Sequence, residues 1–192
     1  MNIRSLLLGF LSCLLFSTLS AQDGFNMDDL HRWSQGKNVP VKEVHSHVFD
    51  SSAYYRLTNH WQGEGKSLDI LNDKEANKPI LAKTGNYTGQ LWKITAAGEG
   101  YYRLSTQWQG EGKSLDILNN KEANKPILAK TGNYAGQLWK ITAVGEGYYR
   151  LSTHWQGEGK SLDIINDKEA NKPILADTGN YSGQLWKITK IE

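Results

Sequence analysis

One acidic residue recurs three times in the same setting: Asp69, Asp116 and Asp163 each stand in a Leu-Asp-Ile triplet, 47 residues apart. Eighteen residues after each acid comes Tyr87, Tyr134 or Tyr181, inside a Gly-Asn-Tyr-x-Gly segment, and 21 residues after it comes Gln90, Gln137 or Gln184. A carboxylate offers two acceptor oxygens to neighbouring hydroxyls, and an aromatic face offers an apolar platform to the C–H bonds of a ring. The two together suit a polyhydroxylated molecule held in a cleft by a few convergent polar groups. A second ring in each repeat, Trp61, Trp108 or Trp155, precedes Gln-Gly-Glu-Gly and is the other candidate platform. The tyrosine is preferred, because its flanking glycines allow a tight excursion of the loop toward the acid. Each residue also has a plainer reading. The acid could be a surface charge paired with Lys66 or a loop amide, either ring a cap on the core, and the glutamine a partner for buried backbone groups.

Other chemistries fail on composition or spacing. Gly65-Lys66-Ser67 has the ending of a phosphate-binding loop, but the glycine such a loop requires earlier is His60, and no helical pattern follows. There is no Gly-x-Ser-x-Gly elbow, and His60 corresponds to Gln107 in the middle repeat, which removes it from any set of three equivalent sites. His45 and His47 with Asp50 form a weak metal pattern for which a solvated turn is the better account, so neither a metal nor a cofactor is expected. Glycoside hydrolysis needs two carboxylates across one cleft, and Glu64 with Asp69 is the local candidate. The expectation is a protein that is not an enzyme.

The elements that position these residues follow from the repeat. Tyr54–Gly100, Tyr101–Gly147 and Tyr148–Glu192 align without a gap, and 41 of the 47 positions agree between the first two. Within a unit, β-prone runs at Tyr54–Thr58, Ser67–Leu71, Pro79–Ala82 and Gln90–Thr95 are separated by Gly, Asn and Pro, and no stretch keeps a helical period. Leu68 and Ile70 point one way while Ser67, Asp69 and Leu71 point the other, so the acid is expected to face outward. Gln90, Trp92 and Ile94 are expected to share a face, with the tryptophan in the core. Three four-strand units must close on themselves, or exposed edges would invite aggregation. A propeller wants at least four blades, and a solenoid wants atypical caps. The class predicted is all-β: a β-trefoil of three 47-residue repeats, each giving two strands to a six-stranded barrel and two to a hairpin cap.

Two motifs carry a resemblance to a known family. Each repeat contains Gly-Lys-Ser-Leu-Asp-Ile, beginning at Gly65, Gly112 and Gly159, and each ends in Gln-Leu-Trp, at Gln90–Trp92, Gln137–Trp139 and Gln184–Trp186. Three copies at constant spacing over Tyr54–Glu192 resemble the QxW signature of the ricin-B-type β-trefoil lectins and carbohydrate-binding modules. The resemblance implies that Asp69, Asp116 and Asp163 are the principal sugar contacts, steadied by Gln90, Gln137 and Gln184. It implies glycans or glycoconjugates as partners, cell-surface or matrix polysaccharide among them. The sequence departs from the family at two places. Ala82, Ala129 and Ala176 stand where an aromatic residue is common, and Gly89, Gly136 and Gly183 stand where an asparagine usually precedes the glutamine. A galactose pocket of the usual kind is therefore incomplete, with Tyr87, Tyr134 and Tyr181 as the preferred replacements. The alternative is a protein-binding or inhibitory trefoil without sugar affinity.

Residues 1–21 read as a secretory signal: Arg4, an apolar run from Leu6 to Phe16, then small residues to Ala21. The run is too short to span a bilayer, and no transmembrane segment is expected beyond it. Cys13, the single cysteine, lies within that run; a lipoprotein reading is disfavoured because Phe10 stands where an aliphatic residue is usual. The expected location is extracellular, or periplasmic in a bacterium. Residues 22–53 read as a polar N-terminal extension, partly disordered or docked as a strap, ahead of the trefoil at 54–192. Without Arg4 the chain has 21 basic against 20 acidic residues, with no basic block, which argues against nucleic acid as a partner.

Overall fold

A computed structural model describes residues 49–71, 77–118, 124–165 and 171–192. The chain divides into a unit at Met1–His45, outside the described residues, and a unit at Ser46–Glu192. The expectations placed on residues 1–48, among them the signal and the His45/His47 pattern, fall outside the description. Among the described residues no helix is long and apolar enough to cross a membrane.

The described residues of the repeat region form twelve strands: β1 (Tyr54–Asn59), β2 (Gly63–Ile70), β3 (Pro79–Lys83), β4 (Trp92–Gly98), β5 (Tyr101–Thr106), β6 (Lys113–Ile117), β7 (Pro126–Lys130), β8 (Trp139–Gly145), β9 (Tyr148–Thr153), β10 (Lys160–Ile164), β11 (Pro173–Asp177) and β12 (Trp186–Ile191). The first and fourth strands of each repeat pair in the cyclic order β1-β4-β5-β8-β9-β12, and β12 returns to β1 in six-residue register, from Tyr54 opposite Ile191 to Asn59 opposite Trp186. That closure leaves the barrel no open edge. The second and third strands pair as hairpins β2–β3, β6–β7 and β10–β11. This is the expected β-trefoil.

The hairpins interlock around the pseudo-threefold axis. The amides of Leu81, Leu128 and Leu175 donate to the carbonyls of Asn171, Asn77 and Asn124, each at 2.6 Å and each in a neighbouring repeat. Ion pairs repeat the cycle between Lys93 and Glu111, Lys140 and Glu158, and Lys187 and Glu64. No repeat completes its own contacts.

The core is the barrel interior plus the inner faces of the hairpins. Trp92, Trp139 and Trp186 are fully enclosed, and their indole N–H groups donate at 2.8 Å to Leu68 O, Leu115 O and Leu162 O. Leu57, Leu104 and Leu151 lie beside them. Full burial of such a side chain stabilises the fold by roughly 2 kcal/mol, so repeating the set three times supports the barrel without covalent cross-links. Residues just before β1 add to it. Phe49 packs its ring against Tyr55, Tyr102 and Tyr149, one tyrosine from each repeat, at centroid distances of 5.4, 5.3 and 6.1 Å. Lys190 Nζ, 2.9 Å from Asp50 Oδ2, ties the same short segment to β12. The described end of the extension is a docked strap whose phenyl ring plugs one end of the barrel.

One boundary differs from the sequence reading. Gln90 was expected on the last strand, but Thr88–Gln90 forms a single 3₁₀ turn and the strand begins at Trp92. The same turn recurs at Ala135–Gln137 and Ser182–Gln184. It lifts the glutamine off the face shared by Trp92 and Ile94 and sets it against the hairpin.

Candidate carbohydrate-binding site

The site is built upward from the glutamine. Gln90 is fully enclosed; its Nε2 donates to Asp69 Oδ2 at 3.0 Å and to Lys83 O at 2.8 Å, and its Oε1 accepts from the Gly85 amide at 2.9 Å. One amide thus joins β2, the end of β3 and the loop that follows. Gln137 and Gln184 hold Asp116 and Asp163 at the same 3.0 Å. Arg56 Nη2 donates to Gly85 O at 2.9 Å and fixes the Gly-Asn-Tyr loop from below, as Arg103 and Arg150 do at Gly132 and Gly179. That loop carries Tyr87, Tyr134 and Tyr181, all more than 60% exposed. Each ring lies over its own glycine: a Cβ at Gly85, Gly132 or Gly179 would collide with it.

The acids are not where strand alternation put them. Asp69, Asp116 and Asp163 are only 3%, 4% and 6% exposed, and the expectation of outward-facing carboxylates is corrected. Alternation places the acid opposite the leucine, but a second layer covers that face. Gly89 of the 3₁₀ turn closes over it so tightly that a Cβ there would run into Ile70 O and Asp69 Oδ1, and Gly136 and Gly183 close over the other two acids in the same way. The glycine that departs from the family pattern is what permits this approach. Burial raises each acid above the usual carboxylate range, and the bonds from Gln90 and the Ile70 amide, or their equivalents, partly offset that. Two donors leave about half of a carboxylate's acceptor capacity for a third partner. The fully enclosed glutamines hold the acids in place through their side-chain amides.

Asp163 lines a cavity of about 640 Å³ together with Ala176, Asp177, Asn180, Tyr181 and Trp61. The volume is that of a small-molecule site. Trp61 belongs to the first repeat and the other five residues to the third, so the cavity lies across a repeat boundary. The backbone shows the same juxtaposition at the other two boundaries: Trp108 N donates to Thr88 O, and Trp155 N to Ala135 O, both at 3.2 Å. At the third, Asn59 bridges instead, with its Nδ2 donating to Gly183 O at 2.7 Å and its Oδ1 accepting from the Trp61 amide at 3.1 Å. The sequence reading set tyrosine and tryptophan as competitors within one repeat. In the fold they flank one cavity from two repeats, and Ala176 leaves room between β11 and that neighbour. Glu64, once considered with Asp69 as a catalytic pair, is bound to Lys187.

Residues 44–130 match the family described as "Ricin-type beta-trefoil lectin domain-like". Over those residues the chain is similar to the ricin-type β-trefoil lectins. Its fold agrees with that of solved β-trefoil proteins. A designed threefold-symmetric protein, ThreeFoil, superposes with a TM-score of 0.61 at 25% identity, over 72% of this chain and 99% of that one. The Macrolepiota procera ricin B-like lectin, determined in complex with lactose, superposes with a TM-score of 0.60 at 17% identity, over 75% and 99%. The GlcNAcα1-4Gal releasing endo-β-galactosidase of Clostridium perfringens gives 0.60 at 19% identity, over 73% of this chain but 33% of the enzyme. The same fold is thus found both as nearly a whole chain and as a third of a larger enzyme. No curated protein matches the chain in sequence.

The cavity thus presents a buried acceptor, oriented by Gln184, together with two aromatic residues. Asn180 and Asp177 stand at the rim with the exposed Tyr181. Rim residues such as these carry no pattern in one repeat that marks them as ligand-facing, and only the repeat boundary brings them together. Among the described residues, no group of three or more His, Cys, Asp or Glu could hold a metal ion.

Proposed function

We propose that this chain is a secreted, non-enzymatic lectin with three sugar sites, one at each repeat boundary. The observation that carries the reading is the cavity in which Asp163, Tyr181 and the neighbouring repeat's Trp61 converge. A ring hydroxyl donates to the free acceptor directions of the acid, and the apolar face of the sugar packs on the aromatic surfaces. Gln184 holds the carboxylate in place, so the bound geometry exists before the sugar arrives. Sites of this size with one strong acceptor bind single sugars at roughly millimolar strength, about 4 kcal/mol, and three of them on one rigid barrel gain avidity on a glycan-bearing surface. Export, as read from residues 1–21, would place the protein where such surfaces occur.

Lactose, seen with the Macrolepiota procera lectin, is the first ligand to try, followed by a glycan array. The protein should come from a host that does not N-glycosylate, because Asn86 and Asn180 stand in Asn-x-Thr and Asn-x-Ser sequences beside the tyrosines. Calorimetry is expected to find close to three sites, each removed by changing its own tyrosine. Binding to a protein surface with no glycan dependence would replace the reading with that of an inhibitory or interaction trefoil. Release of reducing ends on prolonged incubation would show that Asp163 and Asp177, two carboxylates in one cavity, do catalytic work.

A further inference from the structure

The three repeat boundaries share the buried acid and its glutamine but differ in charge at one position beside them. Asp177 lines the third cavity at the end of β11, and the repeat places Lys83 and Lys130 at the same position in the first two. Register puts Lys66 opposite Lys83, Lys113 opposite Lys130, and Lys160 opposite Asp177. In the third repeat the two side chains pair at 2.7 Å and cancel. In the other two, like charges face each other. Lys66 Nζ is held by Asn171 Oδ1 at 2.6 Å and Lys113 Nζ by Asn77 Oδ1 at 2.8 Å, both neutral acceptors on a neighbouring repeat. Among the described residues no ion pair involves Lys83 or Lys130, and both are exposed. At the first two boundaries an exposed Lys83 or Lys130, with a second lysine opposite it in register, thus stands where the third cavity has an aspartate neutralised by Lys160.

We propose that the first and second repeat boundaries hold subsites for anionic saccharides, bearing a carboxylate or a sulfate ester, while the third takes neutral ones. The proposal rests on the carbohydrate-binding reading and adds the class of sugar. An approaching anion meets two lysines with which no carboxylate among the described residues forms an ion pair. An exposed pair contributes up to about a fivefold effect on affinity, so two together give a preference on the order of tenfold. The preference weakens as salt shortens the screening length.

The test uses the full mature chain and two forms of one disaccharide, neutral and sulfated, titrated by calorimetry at low and raised salt. About two of three sites are expected to prefer the sulfated form, and salt should erode that preference. Lys83→Asp with Lys130→Asp recreates the lysine–aspartate pairing that β10 and β11 already hold, and it should abolish the preference while leaving binding of the neutral form. Asp177→Lys should make a third anion-preferring site. Equal affinity for both forms at every site, or a preference that the charge swaps do not move, overturns the proposal and leaves the lectin reading standing. Failure of both forms to bind at all overturns the two together.

Discussion

Trp61 and Asp163 line one cavity although they belong to the first and third repeats. The barrel brings them together by pairing β12 with β1, so the cavity spans a boundary between repeats. The conservative expectation from three tandem copies, that each copy owns a complete site, does not describe this fold.

Ring substitutions should therefore couple across boundaries. Tyr87→Ala and Trp108→Ala are expected to weaken the same site, and Tyr87→Ala with Trp61→Ala to weaken two different ones. A double-mutant cycle read by calorimetry should give an interaction for the first pair of about 0.5 kcal/mol or more, and additivity for the second. Because Tyr87 is mostly exposed, its loss should change unfolding free energy by less than about 0.5 kcal/mol.

The acids should behave as parts of the framework as well as ligands. Asp69→Ala strands the Gln90 amide and the Ile70 N–H in an enclosed place, at a cost of roughly 1–3 kcal/mol. Urea unfolding of the single variants is expected to show that loss for Asp69, Asp116 and Asp163 alike. Loss of binding without loss of stability would mean that the acids face solvent.

Acid pH should favour these three groups. Their folded values lie above the ordinary 3.8 because of burial. Between 3.8 and the folded value the native state binds more protons than the unfolded chain, so their contribution to stability falls as pH rises through that window. Asp50 and Glu64, held low by Ser52 and Lys190 and by Lys187 respectively, act in the opposite sense and lose their contribution as pH falls. The triple Asp69→Asn, Asp116→Asn, Asp163→Asn variant should gain on the unaltered protein as pH is raised from about 4 toward neutrality. Denaturant midpoints at a series of pH values measure the difference, and a difference independent of pH would contradict the burial.

Phe49 should matter to the barrel despite lying outside the repeats. Replacing it with alanine opens a void among Tyr55, Tyr102 and Tyr149, with an expected loss of about 3–5 kcal/mol. A thermal melt of Phe49→Ala little different from that of the parent would show that the strap is dispensable.

Two glycines offer a paired control. Gly89→Ala drives a methyl group into the Ile70 carbonyl and the Asp69 carboxylate, whereas Gly65→Ala meets nothing within 4 Å. The first should lose about 1–3 kcal/mol and the second be close to neutral, both read by equilibrium unfolding.

The sequence by itself determined the architecture. Period, strand spacing and the need to close three equal units left the trefoil as the arrangement that hides every edge, and the QxW tryptophans were legible as core because they stand on a strand beside Ile94 and its equivalents, whereas Trp61, Trp108 and Trp155 stand among loop residues. It also named the acid, the tyrosine and the tryptophan that the cavity brings together. What it left open was decided by contacts between segments far apart in the chain. Alternation assigns Asp69 a side but says nothing of what covers that side, and the cover is Gly89, whose missing Cβ lets a turn descend on the carboxylate. Likewise no pattern within 47 residues states which repeat supplies the second ring. Closure of β12 on β1 sets that, because a site built at a boundary exists only once the barrel is shut.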